Sequence, residues 1–215
     1  MKYDKNHALL ACAIPGLPVK SGKVRDVFDL GDKLLMVVTD RISAFDVILP
    51  SGVPGKGKVL NQLSLFWLEF FGMKNHLITA DVAEYPAELQ PYADDLRGRS
   101  MLVRKVDMVP VECIARGYLT GSGWKEYAAK GTVNGEKLRP GYQNASKLDQ
   151  VLFTPTTKGE IGTHDEAIDF AETEKLVGAG TARALRDATI DLYTKAADYA
   201  RPRGIIIADT KFEFG

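Results

Sequence analysis

Asp209-Thr210-Lys211-Phe212-Glu213-Phe214 carries the clearest chemistry in this chain of 215 residues. Read as a strand, the segment sorts by face: Asp209, Lys211 and Glu213 project to one side, Thr210, Phe212 and Phe214 to the other. One side is a core and the other a site. Two carboxylates flanking an ammonium suit an Mg²⁺ ion beside a phosphoryl group, with Asp209 and Glu213 on the metal and Lys211 on the phosphate charge. The competing reading is a self-neutralising charged face on an exposed strand. The apolar run Ile205-Ile206-Ile207-Ala208 predicts that this strand already starts there, in a buried setting.

A second constellation spans Val109 to Lys125. On a strand, Glu112, Ile114 and Arg116 share a face, and the turn from Gly117 to Gly123 leads into a helix predicted near Trp124. Ser122, next to Gly121, is the expected helix cap. A glycine-flanked serine there offers amides, a hydroxyl and the positive end of the helix dipole to a phosphate. Arg116 can clamp the same phosphate from the strand; an ordinary, well-capped strand-turn-helix junction is the alternative.

Three further segments fit a phosphate-handling site. After Ser21-Gly22, Lys23 and Arg25 share a strand face, so a flexible turn lays amides and two cations over a polyphosphate, unless both are simply solvated. Thr39 to Asp46 crowds Asp40, Arg41, Ser43 and Asp46 into one turn after a buried strand, as substrate loops often do; Asp40 otherwise makes an Asx turn or pairs with Arg41. Thr154 to Lys158, which includes Thr156, is rich in hydroxyls and charge. His164 lacks a second His or Cys at ligand spacing, so Asp165 is expected to cap a helix rather than to bind a metal.

The elements that must position these groups are strand-rich in the first half and more helical in the second. Ser21 to Leu30 and Lys33 to Thr39 predict a hairpin about Gly31-Asp32. A helix from Val59 to Phe71 stops at Gly72, and its Leu60, Leu63, Leu65, Phe66, Trp67, Phe70 and Phe71 are expected to face the core. Strands are predicted at Ser100 to Lys105 and Val109 to Arg116, with Pro110 demoting the second one's start to an edge or hinge. A long helix is predicted from Thr181 to Tyr199, and Thr132 to Thr163 reads as a functional loop. The result is an α+β chain: a β-rich N-terminal lobe over residues 1–107, an α/β lobe over 108–215, and a cleft between them.

Composition excludes several classes. With 28 basic and 28 acidic residues the formal net charge is zero, so there is no global footprint for nucleic acid or an anionic membrane. No stretch approaches the roughly 20 apolar residues of a membrane span, and the N-terminus lacks a signal pattern. Cys12 and Cys113 stand far apart with no metal-like cluster, which argues for reduced thiols in a soluble cytoplasmic protein, with Cys113 in the core.

The runs SGKVRDVF, VVTDRISAFDV, VPVECIARGYLTGSGWKEY, FTPTTKGEIGTHDE and GIIIADTKFEFG, in this order, resemble the SAICAR synthetase family (phosphoribosylaminoimidazole-succinocarboxamide synthases) over nearly the whole chain. The resemblance implies a two-lobed fold related to ATP-grasp and kinase-like architecture. It implies an ATP- and Mg²⁺-dependent ligase that joins L-aspartate to the carboxylate of CAIR, expected as a monomer or homodimer. By resemblance, Gly22, Lys23 and Arg25 cover ATP, Glu112 lies near its adenine end, and Lys211 meets the phosphoryl group. Glu213 binds Mg²⁺ with help from Asp209, and Arg116 with Gly121 and Ser122 holds the 5′-phosphate of CAIR. Asp40, Ser43, Asp46, Thr156 and Lys158 fall on the substrate side. The family pattern continues past Phe-Glu-Phe-Gly with another strand and an acidic turn. A chain without them is expected to bind metal and CAIR poorly, so an ATP-binding remnant or a kinase-like phosphotransferase stands as the alternative.

Overall fold

The β-rich runs of the first half build one antiparallel sheet. The computed structural model describes residues 1–44, 47–157 and 166–215, which divide into two compact units, Met1–Val106 and Asp107–Gly215. The strands of that sheet, all in the first unit, are β1 (Val19–Ser21), β2 (Arg25–Asp29), β3 (Lys33–Val38), β4 (Leu77–Thr79) and β5 (Ser100–Arg104), in spatial order β1-β2-β3-β5-β4. The expected hairpin is β2 and β3, in register from Arg25 opposite Val38 to Asp29 opposite Leu34. Its first arm is shorter than predicted, because Ser21 ends β1 and residues 22–24 form a turn into β2. Lys23 therefore sits in a turn and does not share a strand face with Arg25. Phe28, Leu35, Val37 and Leu102 fill the buried side of the sheet with Leu89 and Leu96, each contributing roughly 1.5–3 kcal/mol of burial.

Helix α1 (Lys56–Phe71) ends at Gly72, whose left-handed backbone (φ 58°) closes the last turn onto Glu69 O. Its buried face is only partly the one expected: Leu65, Trp67 and Phe71 are half-buried, but the fully buried positions are not apolar. Gly57 and Asn61 are buried, whereas Val59, Leu60, Leu63, Phe66 and Phe70 are 37–60% exposed. Close approach decides this: a Cβ on Gly57 would lie 2.2 Å from Val38 O, so the helix seats its smallest residue on β3. Asn61 Nδ2 then donates to Gly98 O and Ser100 O, both at 3.3 Å.

In the second unit β6 (Val111–Tyr118) is central. Along one edge run β7 (Lys147–Phe153) and β8 (Thr156–Thr157), in one register from Glu112 opposite Thr156 to Arg116 opposite Leu152, after which an irregularity shifts the pairing to Tyr118 opposite Lys147. The segment read as a loop thus holds a strand, interrupted at Thr154-Pro155. On the other edge lies β9 (Asp209–Phe212), with Arg116 opposite Asp209 and Ile114 opposite Lys211. Helix α2 (Gly121–Lys130) follows β6, and α3 (Phe170–Val177), absent from the sequence reading, starts from a complete capping box of Asp169 and Glu172. Asp165, the expected cap, lies outside the described residues. The long helix α4 (Ala179–Ala200) is two residues longer than predicted at its start, and buries Leu185, Thr189, Leu192, Tyr193 and Ala196. Every strand pairing among the described residues is antiparallel, and with the helices this makes the chain α+β, as expected.

The run Ile205 to Ala208 is not a buried strand. Ile205 and Ile206 are exposed, pairing begins only at Asp209, and Ala208 O instead accepts from the N–H groups of both Gly117 and Tyr118 at 3.0 and 3.1 Å. Among the described residues no helix is long and apolar enough to cross a membrane.

Candidate active site

In β9 the alternation holds. Asp209, Lys211 and Glu213 are exposed, while Thr210, Phe212 and Phe214 are half-buried toward the second unit's core. Likewise β6 buries Val111, Cys113 and Ala115 and turns Glu112, Ile114 and Arg116 to the other side. Antiparallel pairing brings these two polar faces together.

Glu112 and Lys211 form one cluster. Lys211 Nζ donates to Glu112 Oε2 at 2.5 Å, and Thr156 Oγ1 donates to the same oxygen at 3.3 Å. The lysine side chain is 48% exposed and the carboxylate side chain 11%. The glutamate thus anchors an ammonium whose other side meets solvent.

Arg116 centres the second cluster. Its Nη1 donates to Asp209 Oδ2 at 2.9 Å, Nε to Thr154 Oγ1 at 3.0 Å and Nη2 to Ser122 Oγ at 3.3 Å. Three of the guanidinium's five N–H groups are committed, which leaves two for an anion. Ser122 does not cap α2. The N-cap position is Thr120, without a side-chain cap bond, and Ser122 stands in the first helical turn, where its hydroxyl accepts from Arg116. Gly121 supplies the left-handed backbone (φ 56°) that starts that turn.

The expected metal pair needs correction. Four residues of extended chain separate Asp209 from Glu213 by about 13 Å at Cα, too far for both to reach one Mg²⁺ at about 2.1 Å from each oxygen. Asp209 is also engaged by Arg116. No cluster of three or more His, Cys, Asp or Glu able to hold a metal occurs among the described residues. Glu213, an exposed carboxylate, fits the usual Mg²⁺ arrangement of one or two carboxylates with phosphates and water.

In the first unit Gly22, Lys23 and Arg25 are exposed at the turn between β1 and β2, which Gly22 N closes on Arg25 O at 2.7 Å. Asp40 is not on a substrate loop. It is completely buried, pairs with Arg99 at 3.1 Å, and accepts from the N–H groups of Leu9 and Gly57 at 2.9 and 2.7 Å. Arg41 pairs with Asp26 at 2.9 Å instead. Ser43 stands in a two-residue strand, opposite Ile48. Asp46, Lys158 and His164 lie outside the described residues. The sequence reading missed Asp26 and Thr39 as polar interior groups; their only sequence signal is the placement of each beside a strongly apolar strand.

The chain matches the SAICAR synthetase family profile over residues 18–215. It is 54% identical over 199 residues to the phosphoribosylaminoimidazole-succinocarboxamide synthase of Desulforapulum autotrophicum, spanning 92% of this chain and 68% of that one. For the synthase of Trichlorobacter lovleyi the identity is 55% over 204 residues, with 94% and 69% covered. Among solved structures, the Saccharomyces cerevisiae SAICAR synthase complexed with SAICAR superposes with a TM-score of 0.89 at 41% identity, over 97% of this chain and 72% of that one. A SAICAR synthetase in complex with ADP gives a TM-score of 0.72 at 25% identity, with 92% and 75% covered.

Proposed function

The chain belongs to the SAICAR synthetase family, and from that premise we propose how its side chains divide the work. It is an ATP-dependent ligase of purine biosynthesis that joins the amine of L-aspartate to the carboxylate of CAIR, giving SAICAR, ADP and phosphate. A carboxylate is a poor acyl donor. In the proposed route its oxygen takes the γ-phosphoryl group of ATP and ADP leaves; the aspartate amine then attacks the acyl carbon, loses a proton, and expels phosphate. Such a path asks the protein mainly to position groups and to balance charge.

Lys211 is assigned to the transferring phosphoryl group. The single observation that carries this is its ammonium, half-exposed and held at 2.5 Å by Glu112. Because Glu112 touches Lys211, we place it at the phosphoryl end and not at the adenine end. Arg116, with its two uncommitted N–H groups, and Ser122 are assigned to the 5′-phosphate of CAIR, with Gly121 shaping the turn. Asp209 fixes Arg116 and does not bind metal. Thr156 belongs with Glu112. Gly22, Lys23 and Arg25 are assigned to the ATP phosphates, and Ser43, Asp46 and Lys158 to the substrate side. Glu213 is the proposed protein ligand of Mg²⁺, which when bound would neutralise phosphate charge. The free, buried thiols of Cys12 and Cys113 fit the reducing cytoplasm we propose as its location.

ADP release with Mg²⁺-ATP, measured with CAIR and L-aspartate separately and together, tests the reaction. ADP is expected only when both are present. Release that needs neither would replace the ligase by a simple ATPase.

A further inference from the structure

The four backbone carbonyls from Gly22 to Arg25 are all taken by one short segment, Thr39 to Arg41. Arg41 Nη2 donates to Gly22 O at 2.8 Å and to Arg25 O at 3.1 Å, and its Nε donates to Lys23 O at 3.1 Å. Thr39 donates to Val24 O twice, from its N–H at 3.0 Å and its hydroxyl at 2.8 Å. Arg41 Nη1 goes to Leu10 O at 2.5 Å, and Nη2 also meets Asp26 Oδ1 at 2.9 Å. Arg41 is 8% exposed, whereas Gly22, Lys23 and Arg25 lie at the surface.

All peptide bonds are trans, and in a trans peptide the N–H points opposite to the C=O. Drawing the Gly22 and Lys23 carbonyls inward therefore turns the N–H groups of Lys23 and Val24 outward. Consecutive amides facing out from a turn form an anion-binding concavity. Only an arginine does this job well, since its planar fork serves several acceptors at fixed angles where an ammonium acts as a point charge. Asp26 completes the arrangement by pairing the buried guanidinium.

We propose that Arg41, assisted by Thr39, is a positioning residue that sets the 22–25 turn with its amides toward the ATP phosphates before nucleotide arrives. The proposal rests on the assignment of Gly22, Lys23 and Arg25 to ATP. Arg41 itself touches no substrate in this role.

Arg41→Lys tests it by two independent readings. The first is hydrogen exchange at the Gly22 amide without nucleotide, and the second is KM for each substrate. Expected are faster exchange and a KM for ATP raised about tenfold, with KM for CAIR and L-aspartate within about twofold, since a binding-competent turn then forms only part of the time. Unchanged exchange overturns the positioning role whatever the kinetics. Faster exchange with an unchanged KM for ATP overturns the assignment of the turn to ATP, and the proposal with it. A parallel rise in all three KM values also overturns it, as general damage. If Arg41→Lys does not fold, the unaltered protein decides. Its Gly22 amide should exchange slowly without ATP and slow little further with it, and free-chain exchange without ATP overturns the proposal.

Discussion

The two units use the same chemistry, arginine and lysine against aspartate and glutamate, to opposite ends. In the first unit Asp26 with Arg41 and Asp40 with Arg99 are buried, and each is wrapped by backbone groups: Arg41 by four carbonyls, Asp40 by two amides. In the second unit Lys211 and Asp209 lie half-exposed on β9, while their partners Glu112 and Arg116 are nearly covered, each with 11% of its side chain exposed. A buried pair is fixed because either charge alone would be costly there. An exposed pair exchanges partners at little cost, which is what a group awaiting a phosphate requires. Ion pairing by itself therefore does not mark a site, and neither does exposure, since Lys105–Asp29, Arg139–Asp149 and Lys195–Asp191 are exposed pairs too; the pairs on β9 differ in that a nearly covered partner holds a half-exposed one.

The largest effect should come from splitting a buried pair. Asp40→Ala strands Arg99 in the interior and is expected to cost about 3–5 kcal/mol, a large share of a total stability of roughly 5–15 kcal/mol. Urea unfolding measures it, and a loss below about 1 kcal/mol would remove the scaffolding role. Lys211→Ala should invert that profile. Loss of a donor aimed at developing charge lowers kcat by about 10²–10³-fold, while stability falls by only about 1–3 kcal/mol, because the nearly covered Glu112 keeps its contact with Thr156. An unchanged kcat would take Lys211 out of the chemistry.

These two residues also mark what the sequence discloses. The face of Lys211 was readable because a period of two over six residues needs only strand geometry, and Glu112 and Arg116 were readable on β6 for the same reason. Asp40 was misread because burial is decided by partners remote in sequence, Leu9, Gly57 and Arg99. Helix α1 shows the same limit. Its apolar residues run round most of the cylinder, and the buried face is chosen by Gly57 and Asn61, the positions a hydrophobic count discards. Strand β7 was missed because Gly, Pro and Asn residues precede it and its register is set by β6. The stretch 205–208 is apolar enough for a strand, yet its two leading isoleucines are exposed and pair with no strand among the described residues.

Between these extremes stands Gly117, where a Cβ would meet Tyr193 Oη at 1.9 Å. That hydroxyl donates to Ile207 O at 2.7 Å, next to the Ala208 carbonyl held by Gly117 and Tyr118. Gly117→Ala should cost about 1–3 kcal/mol by overpacking and lower kcat as well, since it disturbs the chain that delivers Asp209 and Lys211. Full activity at reduced stability would show that β9 is placed by its pairing with β6 alone. Ser122→Ala is narrower in its effect. Losing one hydroxyl contact to charged groups, worth about 1.5–3 kcal/mol, should raise KM for CAIR about tenfold and leave KM for ATP unchanged; equal effects on both would separate Ser122 from the CAIR phosphate.

The smallest expected signal comes from the thiols, one in each unit. Burial pushes Cys12 up to about 12 and Cys113 up to about 11, so neither presents thiolate near neutral pH and a thiol reagent should leave the native protein unlabelled. Cys12 has a further tie to the buried charges, since its N–H donates to Asp26 Oδ2 at 2.8 Å. Asp40→Ala should therefore speed the labelling of Cys12 at low urea far more than that of Cys113, which packs behind β6 with Val111, Ile168 and Leu185. Equal acceleration of the two would mean that the buried pairs do not govern the first unit's own opening, and the contrast between scaffold charges and working charges would reduce to one of exposure alone.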